Sequence, residues 1–291
     1  MRDLGWILGW QNRFDEASKC FQESLLITEK LGEKFLSDKG RATGFWAVIL
    51  MKEGKFSEAQ IKLDEILKIH EDKAYFPGSI YEVQNWLGLL SESVGEWRTA
   101  ERYYQMHSKW QWHGQIYFLC CALTGLIRAK HALGDHQAIP PLLAEAEQSS
   151  VRYEYNDHLA SLQLIQGHVA WETNNKEDVL RFYQHALIYA LRYNRFLLDE
   201  LLSGRPQGSP LRSIIPYCLE HGDEGRQMLI TLRDWWKIGV NHIGTPRPDT
   251  ISPLPEGSSL LQAEKTARDR ELGDGTPQRT LVKQLEEAIE G

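Results

Sequence analysis

Apolar residues return every three or four positions over long stretches of this chain, as at Trp86, Leu87, Leu90 and Val94 and again at Ala100, Tyr103 and Tyr104. That spacing lines one face of an α-helix, whereas a half-buried strand would alternate. Between such stretches stands a short punctuation of Gly or Asn, residues that tolerate the left-handed backbone which ends a helix. The pattern predicts pairs of helices joined by tight turns, and therefore an all-α fold.

The pairs are copies of one another. Asn12-Arg13-Phe14 leads to Ala17, Phe21 and Leu25; Gly54-Lys55-Phe56 to Ala59, Leu63 and Leu67; Gly95-Glu96-Trp97 to Ala100 and Tyr104. Gly134-Asp135-His136 leads to Ile139 and Leu143, and Asn174-Asn175-Lys176 to Val179, Tyr183, Ala186 and Leu187. The third residue of these turns falls at 14, 56, 97, 136 and 176, in steps of 42, 41, 39 and 40. Seven places before the Gly or Asn, four of the five copies have a small residue, Gly5, Ala47, Gly88 or Gly167, and the fourth copy has Ile127. A small residue there lets the second helix approach the first closely, and the aromatics are expected to fill the gap to the next copy.

Helical hairpins with small and large residues at these relative places resemble the tetratricopeptide repeat. The usual period of that family is about 34 residues, so steps near 40 imply longer helices or loops. Stretched repeats of this kind are similar to those in the sensor regions of large bacterial signalling ATPases and transcriptional activators. The resemblance covers residues 1–195 and implies a right-handed superhelical solenoid of antiparallel hairpins. It is weaker where His136 and Ile139, and Lys176 and Val179, replace the aromatic and Ala of the pattern. A degenerate copy is predicted within 196–243, turning at Gly222-Asp223-Glu224, after the loop insertion SGRPQGSP at 203–210.

Both ends depart from the rhythm. Residues 244–259 contain four prolines and read as an extended linker. Residues 260–291 read as a helical tail: a short charged helix over 260–272, then an amphipathic one with Thr276 as N-cap and Pro277 in the first turn. Leu281, Val282, Leu285 and Ile289 form its apolar stripe, which should dock on the repeats or on a neighbouring chain. At the other end, Leu4, Trp6, Ile7, Leu8 and Trp10 crowd a helix that the repeat spacing would start before Met1. Solenoid ends need polar caps. The expectation is that the chain is the C-terminal part of a longer protein, or that this end binds something.

Composition removes several classes of function. The formal net charge of -7 provides no basic face for nucleic acid. No signal peptide and no apolar run of about 18 residues is visible, so a membrane is not expected and a cytoplasmic location is. Cys20, Cys120, Cys121 and Cys218 have neither the spacing of a disulfide scaffold nor that of a zinc or redox site. The ten histidines include no HExxH and no pair four apart, so no metal site is expected. Gly54-Lys55 lacks the rest of a phosphate loop, and Gly273 and Gly275 lack the rest of a dinucleotide fingerprint. No pair of carboxylates is singled out, and Glu101 reads as solvated. The expectation is no cofactor, no catalytic residue and no enzyme.

What the resemblance implies instead is a concave groove lined by the first helix of each hairpin. The ligand-facing places of the family fall here on Arg41, Gly44, Val48 and Met51; Glu82, Asn85, Leu89 and Glu92; Cys121, Thr124, Arg128 and His131; and Ser161, Leu164, His168 and Trp171. Of these, Arg41, Asn85, Glu92, Arg128, His131, His168 and Trp171 are the candidates for holding a peptide or an acidic group. The function expected is recognition of a protein or peptide, or of the protein's own upstream domains, by the sensor or scaffold part of a larger signalling protein. The rival is a small-effector-sensing module of a STAND-type ATPase or transcriptional regulator. A helical-repeat enzyme is the third reading.

Overall fold

The computed structural model describes residues 1–72, 77–108, 116–193, 195–203, 210–241 and 277–291. Helices α1 (Arg2–Trp10) and α2 (Phe14–Leu31) flank Asn12, α3 (Leu36–Glu53) and α4 (Phe56–Asp72) flank Gly54, and α5 (Pro77–Ser93) and α6 (Trp97–Ser108) flank Gly95. Then α7 (Ile116–Ala132) and α8 (Ile139–Arg152) flank Gly134, and α9 (Asn156–Glu172) and α10 (Lys176–Tyr193) flank Asn174. The chain continues through α11 (Arg195–Ser203), α12 (Ile214–Glu220), α13 (Gly222–Asn241) and α14 (Pro277–Glu290). No strand occurs among the described residues, and the fold is all-α.

The five hairpin turns share one backbone solution. Asn12, Gly54, Gly95, Gly134 and Asn174 all have positive φ, from 53° to 87°. At Gly95 the glycine N–H donates to Glu92 O at 3.2 Å, and Glu96 N–H donates to Ser91 O at 2.8 Å. The same pair of bonds recurs at the other four turns, closing the carbonyls that a helix end leaves open. The fourth copy departs from the pattern for a local reason. His136–Ala138 forms a 3-10 turn, so α8 starts at Ile139 and places Pro140 and Pro141 in its first turn, where their missing N–H groups leave no intrahelical bond unmade.

Packing explains the small residues. The large side chain nine places after each turn lies over the small one seven places before it: Phe21 over Gly5, Tyr104 over Gly88 and Tyr183 over Gly167. In the second copy, Leu63 and Ala47 share one core cluster. In the fourth copy this seat is replaced by another, because Gly125 of α7 lies against Tyr104 from the copy before.

The helices form two compact units, one holding the described residues up to Ser149 and the other those from Ser150 onward. In the first unit, each helix from α1 to α6 packs against the next, and α1 with α3, α3 with α5 and α5 with α7 are also in contact. In the second, α9 packs on α10, α10 on α11, and α12 on α13, the turn between the last two passing through Gly222 at φ 60°. The amphipathic α14 docks on α13 and α11 of its own chain, with Leu281 and Leu285 buried. Ser203 Oγ donates to Gln284 Oε1 at 2.6 Å, and Lys237 pairs with Glu286 at 2.5 Å, along that seam. The 244–259 linker, the 260–272 helix, Thr276 and most of the 203–210 insertion lie outside the described residues.

Two alanine substitutions separate turn from seat. A Cβ at Gly95 would meet nothing within 4 Å but would sit at φ 81°, so Gly95→Ala should cost about 1 kcal/mol from backbone strain alone. A Cβ at Gly88 would lie 2.6 Å from the Tyr104 ring, so Gly88→Ala should cost about 2–3 kcal/mol through overpacking. Urea denaturation of the two variants measures the difference, and equal losses would contradict the seating of Tyr104.

Candidate functional site

The position three places before each turn holds Gly9, Met51, Glu92, His131 and Trp171. In the first copy it lies against Ile49 of the next hairpin, and in the third and fifth it meets the second helix of its own hairpin. In the third copy, the Tyr104 hydroxyl donates to Glu92 Oε2 at 2.9 Å, and in the fifth, Trp171 Nε1 donates to the Tyr183 hydroxyl at 3.0 Å. Glu92, His131 and Trp171 are all buried. Three residues that the sequence placed on a ligand-facing surface are therefore enclosed between helices in the structure.

Burying Glu92 creates an electrostatic obligation. Arg128 meets it from α7, with Nε donating to Glu92 Oε1 at 2.6 Å and Nη2 to Oε2 at 3.1 Å, and with its own side chain 12% exposed. This is a forked, charge-assisted pair of the kind that fixes orientation as well as charge. Around it, His131 meets His136 edge-on across the α7–α8 turn, ring centroids 5.9 Å apart. Glu101, which the sequence suggested was solvated, keeps 20% of its side-chain surface but is also tied down: Lys130 bridges it at 2.7 Å and Asp135 at 2.6 Å, because α6 packs against α7.

A second polar group lies further along the same face of α5. Arg41 of α3 reaches Glu82 Oε1 from Nε at 3.3 Å and from Nη2 at 3.2 Å. Glu82 is 1% exposed, whereas the Arg41 side chain keeps 43% of its surface. Asn85, one turn on, is buried and donates from Nδ2 to Phe118 O at 2.9 Å. Glu82 Oε2 and Asn85 Oδ1 have no hydrogen-bond partner among the described residues. Burial raises the Glu82 carboxyl above its ordinary value of 4.5, outweighing the opposing pull of Arg41.

In the second unit, His168, Trp171, Tyr183, Tyr217, Cys218 and His221 form one cluster. His168 Nδ1 lies 2.8 Å from the Tyr183 hydroxyl, His168 stacks on Tyr217 at 3.7 Å, and Trp171 stacks on His221 at 4.6 Å. These contacts join α9 and α10 to α12 and the turn after it. Burial pushes the Cys218 thiol up to about 12, partly offset by its hydrogen bond with Tyr183, so it stays a neutral thiol and a poor nucleophile near pH 7. Burial also pushes the Tyr183 hydroxyl well above 10. Among the described residues, no group of three or more His, Cys, Asp or Glu is arranged to hold a metal ion, and no helix is long and apolar enough to cross a membrane.

Sequence reasoning gave no polar role to Tyr104, Tyr183, Tyr217, Cys218 or His221, and a signal for the first two was present. The copies with Tyr nine places after the turn have Glu92 or Trp171 twelve places earlier, whereas those with Phe21 and Leu63 have Gly9 and Met51. A hydroxyl entering a core needs a polar partner, and each Tyr comes with one.

Compared by sequence, the chain matches no protein-family model and no curated protein. Among solved structures, the crystal structure of BtubC (BKLC) from P. vanneervenii is similar, with a TM-score of 0.51 over 94% of this chain and 91% of that one. At 14% identity the two chains share a helical fold.

Removing one member of the Glu92–Arg128 pair should expose its cost. Arg128→Ala leaves a buried carboxylate unpaired and should destabilise the chain by about 3–5 kcal/mol, whereas Arg128→Ala with Glu92→Leu should recover most of that loss. Chemical denaturation of the single and double variants checks this, and additive losses would contradict the pairing. Glu82 has a raised folded pKa, so its contribution is fully present below pH 4.5 and declines as pH rises through the raised value. Glu82→Gln should therefore gain stability relative to the wild type between pH 4.5 and pH 7, read as diverging unfolding midpoints.

Proposed function

We propose that the chain is a tetratricopeptide-type repeat domain, a right-handed superhelical solenoid of antiparallel hairpins, which binds a protein or peptide and catalyses no reaction. In this reading it is the sensor or scaffold part of a larger signalling protein and works in the cytoplasm. The repeated turn, the repeated seat of large on small, and the contacts of α1 with α3, α3 with α5 and α5 with α7 support such a stack.

One observation carries the binding assignment. Arg41 is a half-exposed guanidinium held from one side by buried Glu82. Its remaining N–H donors are held in a restricted direction, which suits a carboxylate or peptide carbonyl on a partner. Asn85 is the next polar group along the α5 face. Of the residues assigned to the groove from sequence, Glu92 and Arg128 are committed to each other, and His168 and Trp171 to Tyr183, so their role in this reading is to hold the scaffold.

The test uses a partner captured with the full chain and then titrated against purified protein. Arg41→Gln should weaken its binding about tenfold or more, the loss of a charge-assisted hydrogen bond, while the circular dichroism spectrum is retained. Undiminished affinity in a folded variant would remove Arg41 from the binding surface.

A further inference from the structure

In the first unit each first helix after α1 carries two residues, eight and five places before its turn, that the preceding hairpin covers. In α3 these are Trp46 and Ile49, in α5 Leu87 and Leu90, and in α7 Leu126 and Ala129. Ile49 is 1% exposed, Leu90 5% and Ala129 0%. Trp46 stacks on Phe21 of α2 with centroids 6.3 Å apart, and Ile49 shares a core cluster with Ala17 and Phe21. Leu87 and Leu90 share theirs with Ala59 and Leu63 of α4, and Leu126 shares one with Ala100 and Tyr104 of α6. The cover is the same three times: a helix with Ala five places after its turn and a large residue four places beyond that.

In α1 the equivalent pair is Leu4 and Ile7, and these are 47% and 53% exposed. Met1 beside them is exposed as well. We propose that this outer face of α1 is a docking surface for one more helical hairpin of the same repeat type, presented by a partner protein. Its second helix carries a small residue and, four places on, Phe, Tyr or Leu. The interface that joins successive hairpins of the first unit thus continues past α1 onto the partner. Within the first unit of a second copy, α2, α4 and α6 already lie under the next first helix, and α8 has Ile139 where the cover carries Ala.

A copy of residues 1–42 placed directly ahead of Met1 in the full chain supplies this hairpin with the step that separates Asn12 from Gly54, at an effective concentration of about millimolar. The extended chain should melt about 3 °C higher or more, and Leu4→Glu with Ile7→Glu on the original α1 should abolish the gain. The same double substitution in the unextended chain should shift the melting temperature by no more than about 1–2 °C, since both side chains face water. An extended chain that melts no higher than the original would overturn the proposal. So would sedimentation showing the unextended chain to be a dimer that the double substitution makes monomeric, because the face would then belong to a second copy.

Discussion

A large side chain seated on a small one sixteen residues upstream sets how the two helices of a hairpin meet. Phe21 on Gly5, Tyr104 on Gly88 and Tyr183 on Gly167 each fill the volume that a Cβ would otherwise occupy. The seat works only if the turn between the helices is the same each time, which is why Gly or Asn recurs there at positive φ with the same two backbone bonds. The same rings also serve the following copy: Phe21 stacks on Trp46, and Tyr104 lies against Gly125. In the first and third copies one residue therefore closes its own hairpin and offers a surface to the next.

Where that residue is tyrosine, its hydroxyl carries a polar group into the core. Glu92 answers Tyr104, and His168 and Trp171 answer Tyr183. Each answer has consequences of its own. A buried Glu92 requires Arg128, tying α5 to α7 by a charged fork, and a buried His168 stacks on Tyr217, tying α9 to α12. Side chains that would make good ligand contacts on an open surface thus become ties between helices. A charge is still partly exposed at Arg41 over Glu82, and the proposed binding role therefore falls there.

The second unit shows how far residue type alone misleads about chemistry. His168, His221, Tyr183 and Cys218 lie together, and in an open cleft they would suggest acid–base or nucleophilic work. Here the imidazoles stack on Tyr217 and Trp171, and burial keeps both the thiol and the phenol protonated. The result is a packed, hydrogen-bonded joint between helices.

Helix type, the five turns, the small-residue seats and the amphipathic α14 were all legible in the sequence, because each depends on spacing within about twenty residues of one helix or hairpin. The turn at Gly222 was legible, although α11 was not separated from the segment that precedes it. Long-range partners were not legible. Arg41 meets Glu82 and Arg128 meets Glu92 across more than thirty residues, and no local period shows which first-helix position turns inward when the repeat runs near 40 residues instead of about 34. The sequence by itself determined that small Gly88 stands where the second helix approaches and that the ring of Tyr104 follows nine places after the turn, since a close approach needs the room a glycine leaves. Only the tertiary structure decided that Glu92 would be buried beneath that ring, because burial belongs to the way neighbouring helices stack, and stacking is set by every copy at once.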